Sequence, residues 1–87
     1  MERDFELIRK ILLVVEEAPP QHISPLTISF NGEHEQAVVN EHVYLLIQRG
    51  LLEGKYSNMG ASITSIVVFR LTWEGHDFIK VAKEESL

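Results

Sequence analysis

Cysteine is absent from this sequence of 87 residues, so neither a disulfide nor a thiolate-bound zinc ion can hold the fold together. Glycine and proline are sparse, at five and three, and no linker, low-complexity stretch or internal repeat divides the chain. The sequence therefore reads as one domain over 1–87. A domain this small buries only roughly 60 to 65% of the surface that its unfolded chain exposes, so each large apolar side chain counts. No charge-free apolar run approaches the ~20 residues needed to cross a bilayer, and Met1-Glu2-Arg3-Asp4 lacks the basic start of a signal peptide. No membrane association is expected, and the cytoplasm is the expected compartment. Cations are also scarce: eight Lys and Arg stand against 13 Asp and Glu, a formal net charge of -5. A domain that grips nucleic acid usually carries a basic patch, whereas this balance repels phosphate on average.

What is present is hydrophobic patterning, in 45% of the residues. Asp4 is placed to cap a first helix over 5–18, with Glu6 near the positive end of its dipole and Pro19-Pro20 beyond its end. At about 100° per residue, Phe5, Leu7, Ile8, Ile11, Leu12, Val14 and Val15 share one half of that helix. Leu13 projects from the polar half. It reads either as a lone exposed leucine or as a self-association contact through which a homodimer would form.

After a loop over 21–25, Leu26-Thr27-Ile28-Ser29-Phe30 alternates as a strand with one buried face, and Asn31-Gly32 signals a turn. A second helix follows from Glu33 or Glu35 to Arg49, with Val39, Val43, Leu46 and Ile47 on its core stripe. Gly50 supplies the left-handed residue that stops it. Residues 51–57 then pair with 63–72 around a tip at Asn58-Met59-Gly60-Ala61-Ser62. Strict alternation over the second strand puts Ile63, Val67, Phe69 and Leu71 on one face and Ile66 and Val68 on the other, outward one. Thr72 is placed to cap a last helix over 73–84, with Phe78, Ile79 and Ala82 inward and Gly75 allowing a close approach. Helix, strand, helix, strand, strand, helix is an α+β order that resembles a winged-helix domain.

Three segments sharpen the resemblance: Met1-x-Arg3-Asp4-x-x-Leu7-Ile8-Arg9-Lys10-Ile11-Leu12, Leu46-Ile47-x-x-Gly50-Leu51-Leu52-Glu53-Gly54 and Leu71-Thr72-Trp73-Glu74-Gly75-His76-Asp77-Phe78. Together they resemble an uncharacterised family of short bacterial and bacteriophage proteins known only as a domain of unknown function. The resemblance implies a phage or prophage setting and assigns no functional residue. Compared with DNA-binding winged helices, the chain lacks a separate short helix before the reading helix, the element that braces it on the phosphate backbone.

Chemistry is thin. There is no cysteine nucleophile, no Gly-x-Ser-x-Gly elbow and no glycine-rich loop leading into a helix, so no enzyme activity and no cofactor are expected. His76-Asp77 beside Glu74 points in several directions from one helix. His34 and His42 stand about 12 Å apart along the second helix, too far to share an ion, and the four histidines read as ordinary surface residues without a metal. The second helix opposes Ala37, Val38, Glu41 and Leu45 to its core stripe, flanked by Glu33 and Glu35, where base reading needs Arg, Lys, Asn or Gln. The tip over 57–62 carries no cation. Arg3, Arg9, Lys10, Lys55 and Arg70 are the residues from which a local basic patch would have to form. An apolar strip rimmed by carboxylates suits a protein partner better than DNA. The expected partner surface is Val38, Glu41 and Leu45 with Ile66 and Val68. Trp73 reads as a lid over the core, or as an interface anchor.

Overall fold

A computed structural model describes residues 4–18, 25–30, 32–60 and 62–85, with backbone alone at Ser62 and Glu85. Residues 1–3, 19–24, 31, 61 and 86–87 lie outside the described residues, and with them Arg3, the proline pair, His22 and most of the loop expected over 21–25. Helices α1 (Phe5–Glu17), α2 (Gln36–Arg49) and α3 (Trp73–Glu85) enclose a core against an antiparallel hairpin of β1 (Leu52–Met59) and β2 (Ser62–Leu71). The class is α+β, in the order α-α-β-β-α.

Helix α1 begins as its capping residue dictates. The Asp4 Oδ1 accepts from the amides of Glu6 at 3.0 Å and Leu7 at 3.2 Å, satisfying donors that have no partner within the helix. It stops at Ala18, whose extended backbone is the conformation forced on a residue preceding proline. Leu7, Ile8, Ile11, Leu12 and Val15 are buried, and the helix packs on α2, β2 and α3. Three side chains depart from the helical wheel, Val14 among them at 37% exposed. Phe5, at the free end of the helix, is 67% exposed. Leu13 is half-buried and packs against the core cluster instead of standing free, because a helix flanked by three elements is covered on more than its apolar half.

The expected first strand is reduced to a single bridge. Leu26 and Val68 exchange backbone hydrogen bonds of 2.7 and 2.8 Å, but the ladder goes no further, because the next carbonyls have other partners. The Ile28 carbonyl accepts from the Gln36 side-chain amide at 2.8 Å, and the Phe30 carbonyl accepts from the amides of Glu33 and His34. The chain thus peels off the sheet into a turn at Gly32. Burial still alternates, with Ile28 buried and Thr27 and Ser29 exposed. Those same bonds delay α2 to Gln36, since the Glu33 and His34 amides already serve a turn. Helix α2 ends at Gly50 in the left-handed region, where the Gly50 amide donates to the Ile47 carbonyl and the Leu51 amide to Leu46.

The hairpin corrects the expected facing of its second strand. Opposite Glu53 and Gly54 the register jumps from Arg70 to Val68, and opposite Ser57 and Asn58 it jumps from Ser65 to Ile63. Each jump adds one residue to β2, and a bulge reverses the alternation beyond it. Ile63, Ile66, Val68 and Leu71 therefore turn inward together: Ile66 is 7% exposed and Val68 0%. The outward reading of Ile66 and Val68 is overturned. Val67 and Phe69 take the outward face, half-buried and not packed against the core cluster.

Candidate functional site

The segments at Leu46–Gly54 and Leu71–Phe78 meet in space as one joint. Thr72 makes it: its hydroxyl donates to the Gly50 carbonyl and accepts from the Gly75 amide at 3.0 Å, while its own amide donates to the Leu51 carbonyl at 3.1 Å. Leu52 lies opposite Leu71, and the Arg70 guanidinium holds the Glu53 carboxylate at 3.0 Å. Gly75 is buried so tightly that a Cβ there would sit 2.1 Å from the Leu51 carbonyl oxygen. At Gly54 it would sit 2.3 Å from the Val67 carbonyl oxygen. Capping, close packing and core filling thus account for Gly50, Gly54, Leu71, Thr72 and Gly75 in structural terms.

They do not account for Trp73. The ring is 84% exposed, so the lid reading is overturned: the first residue of a helix points away from the body that its next turn packs against. An open cleft of about 660 Å³ lies beside it, lined by Glu53, Arg70, Leu71, Thr72, Trp73 and His76. Phe78, expected inward, is 38% exposed at the edge of the α3 core stripe, while Ile79 is buried.

The solvent face of α2 has a different character. Ala37, Leu45 and Gln48 are exposed, and Glu41 and Tyr44 half-buried. Val38 is half-buried too, packed against the core cluster. The Tyr44 ring meets Tyr56 of β1 edge-on, with centroids 4.8 Å apart at 88°, and its hydroxyl accepts from the Gln48 amide at 3.0 Å. Desolvation first, then the neighbouring Tyr56, pushes the Tyr44 hydroxyl above the ordinary value of 10.0. Of the residues expected to form a partner surface, Glu41 and Leu45 are thus accessible together, Val38 is partly withdrawn, and Ile66 and Val68 lie inside. The two tyrosines were missed. Tyr44 has a signal in its spacing of four from Gln48, but Tyr56 reaches α2 only through the hairpin register.

Four cations among the described residues are held by carboxylates. Arg9 pairs with Glu6 at 3.2 Å, Lys10 with Glu33 at 2.9 Å and Lys83 with Glu16 at 2.6 Å. The hydrogen bond from Lys10, and then its charge, hold the Glu33 carboxyl below its ordinary value. Arg70 is taken by Glu53, and among the described residues no carboxylate holds Arg49, Lys55 or Lys80. His42 is no surface histidine. It is 1% exposed, its Nδ1 is 2.8 Å from the Val38 carbonyl, and its Nε2 accepts from the Asp4 amide at 3.0 Å. The carbonyl accepts, so Nδ1 carries the proton. His34 stacks edge-on against Phe30 at 6.0 Å.

The profile of the family described as "Hypothetical protein (DUF2513)" matches residues 2–87. The chain belongs to the DUF2513 family. An uncharacterised protein of Haemophilus influenzae is 32% identical over 88 residues, covering 100% of this chain and 72% of that protein. No solved structure matches. The family carries no assigned activity, so the functional reading rests on the surfaces of this member. In the described residues of this family member, no helix is long and apolar enough to cross a membrane.

Proposed function

We propose that this DUF2513 protein is a winged-helix-like, non-enzymatic binding module that acts by protein–protein contact in the cytoplasm. In this reading α2 takes the place of a reading helix and the β1–β2 hairpin that of a wing. The observation that carries the proposal is the outer face of α2, where Glu41, Tyr44, Leu45 and Gln48 stand with Tyr56, and where Arg49 at the C-terminal end is the one lysine or arginine of the helix. Tyrosine is enriched at the centres of protein interfaces, and a phosphate backbone would find Arg49 alone on this helix to neutralise it. Ile66 and Val68 leave the partner surface because they are buried. The phage or prophage setting is carried by the three sequence segments alone.

The runner-up is a DNA-binding transcriptional regulator, favoured by the sequence of α2, hairpin and α3. It asks for free cations beside α2; Arg9, Lys10 and Arg70 are held by carboxylates, which leaves Arg49, Lys55 and Lys80 among the described residues to serve it. The two readings part in a paired experiment. Tagged protein should retain a host protein that Leu45→Glu loses while the variant keeps its helical circular dichroism, and mixed duplex DNA should not shift. Duplex binding that weakens steeply with added salt would replace the proposal with the regulator.

A further inference from the structure

Strand β1 has a partner along one edge only. Its outer edge is unpaired among the described residues, and the extra residues of both bulges belong to β2, so β1 is the regular strand of the hairpin. An unpaired, regular strand is a template for another strand. The side chains along it decide which.

We propose that β1 pairs with β1 of a second copy, antiparallel and centred on Gly54, joining two hairpins into a four-stranded sheet. In an antiparallel pair, directly opposed residues share a face, so self-pairing must be centred on a residue. Centring on Lys55 opposes that lysine to itself. With Tyr56 at the centre, Glu53 faces Met59. A register centred on Gly54 sets Glu53 opposite the partner copy's Lys55 twice, on the outward face, and Leu52 opposite its Tyr56 twice, on the inward face. Lys55 is exposed and has no carboxylate among the described residues of its own chain, whereas Glu53 already faces Arg70 at 3.0 Å. The second copy supplies the missing carboxylate and leaves an Arg70, Glu53, Lys55 row across the joined sheet. Gly54 at the axis carries no Cβ. This contact leaves Glu41, Leu45 and Gln48 of α2 aside but shares Tyr56 with that face, and it replaces Leu13, which packs against the core cluster, as the seat of self-association.

Sedimentation of the full chain from about 1 µM to about 1 mM should show a reversible monomer–dimer equilibrium, the range in which a small polar contact assembles. Lys55→Glu should weaken it by about tenfold or more, since it sets two glutamates face to face. The double swap Glu53→Lys with Lys55→Glu should restore association toward the parent. Circular dichroism on each variant separates lost pairing from lost folding. As an independent readout, amide exchange within 53–57 should slow as concentration rises, while the core of α1 stays unchanged. A protein monomeric throughout the range overturns the proposal. So does a dimer that Lys55→Glu leaves intact, or one whose β1 amides exchange at the same rate at every concentration.

Discussion

Gly75 shows what a single residue is asked to do here. The missing Cβ would lie 2.1 Å from a backbone oxygen, and backbone cannot rotate aside as a flexible side chain can. Gly75→Ala should therefore destabilise the fold by roughly 2 to 3 kcal/mol through overpacking, although alanine is the better helix former. Chemical denaturation checks it, and a variant as stable as the parent would mean that α3 can move off Leu51. Tyr44 offers a second residue-scale test, through pH. Its raised ionisation means that the fold favours the neutral phenol, so the stability it contributes is whole below the ordinary value of 10.0 and is lost as pH rises through the folded-state value. Phenolate absorbance should place Tyr44 above an unfolded tyrosine, and Tyr56→Phe should bring it part of the way down, since burial of Tyr44 remains. The aromatic pair was not legible in the sequence. Tyr44 and Tyr56 meet through a register that no local pattern states.

At the scale of elements, the joint between α2, β1, β2 and α3 hangs on Thr72, whose hydroxyl both caps α3 and reaches the Gly50 carbonyl. Thr72→Ala should cost about 1 to 2 kcal/mol and Thr72→Ser markedly less, because serine keeps the hydroxyl. Thermal unfolding of the two variants makes the comparison, and equal losses would assign the effect to the methyl group. Local chemistry announces such caps well: Asp4, Gly50 and the Thr72 bond to the Gly75 amide each act within one turn of their own position. Elements whose partners are distant read less well. The alternation of residues 26–30 is real in burial, yet only Leu26 joins the sheet, because Gln36 and the turn amides compete for the carbonyls that a strand would use. The two bulges invert the facing of β2 for a similar reason. An extra residue leaves no mark in an apolar run that is greasy on both faces.

For the molecule as a whole, the core is small and the exposed apolar residues are many, which makes location decisive. Ile11 is 0% exposed and Trp73 84%. Ile11→Ala should cost about 2 to 5 kcal/mol by leaving a cavity, and Trp73→Ala within about 0.5 kcal/mol of the parent. A large loss at Trp73, followed by denaturant unfolding of both variants, would mean that the ring covers the core in solution. Within one segment, Leu71, Thr72 and Gly75 hold the joint together, whereas Trp73 contributes surface.

The amino-acid sequence by itself determined the helices, their caps, the hairpin and the acidic balance, because these follow from interactions within a few residues or from composition. Tertiary structure alone decided which side chains remain for a partner. Bulges turned Ile66 and Val68 inward, flanking elements covered Leu13, and ion pairs engaged Arg9, Lys10 and Arg70. Accessibility depends on what packs from elsewhere in the chain, and a one-dimensional period carries no term for that.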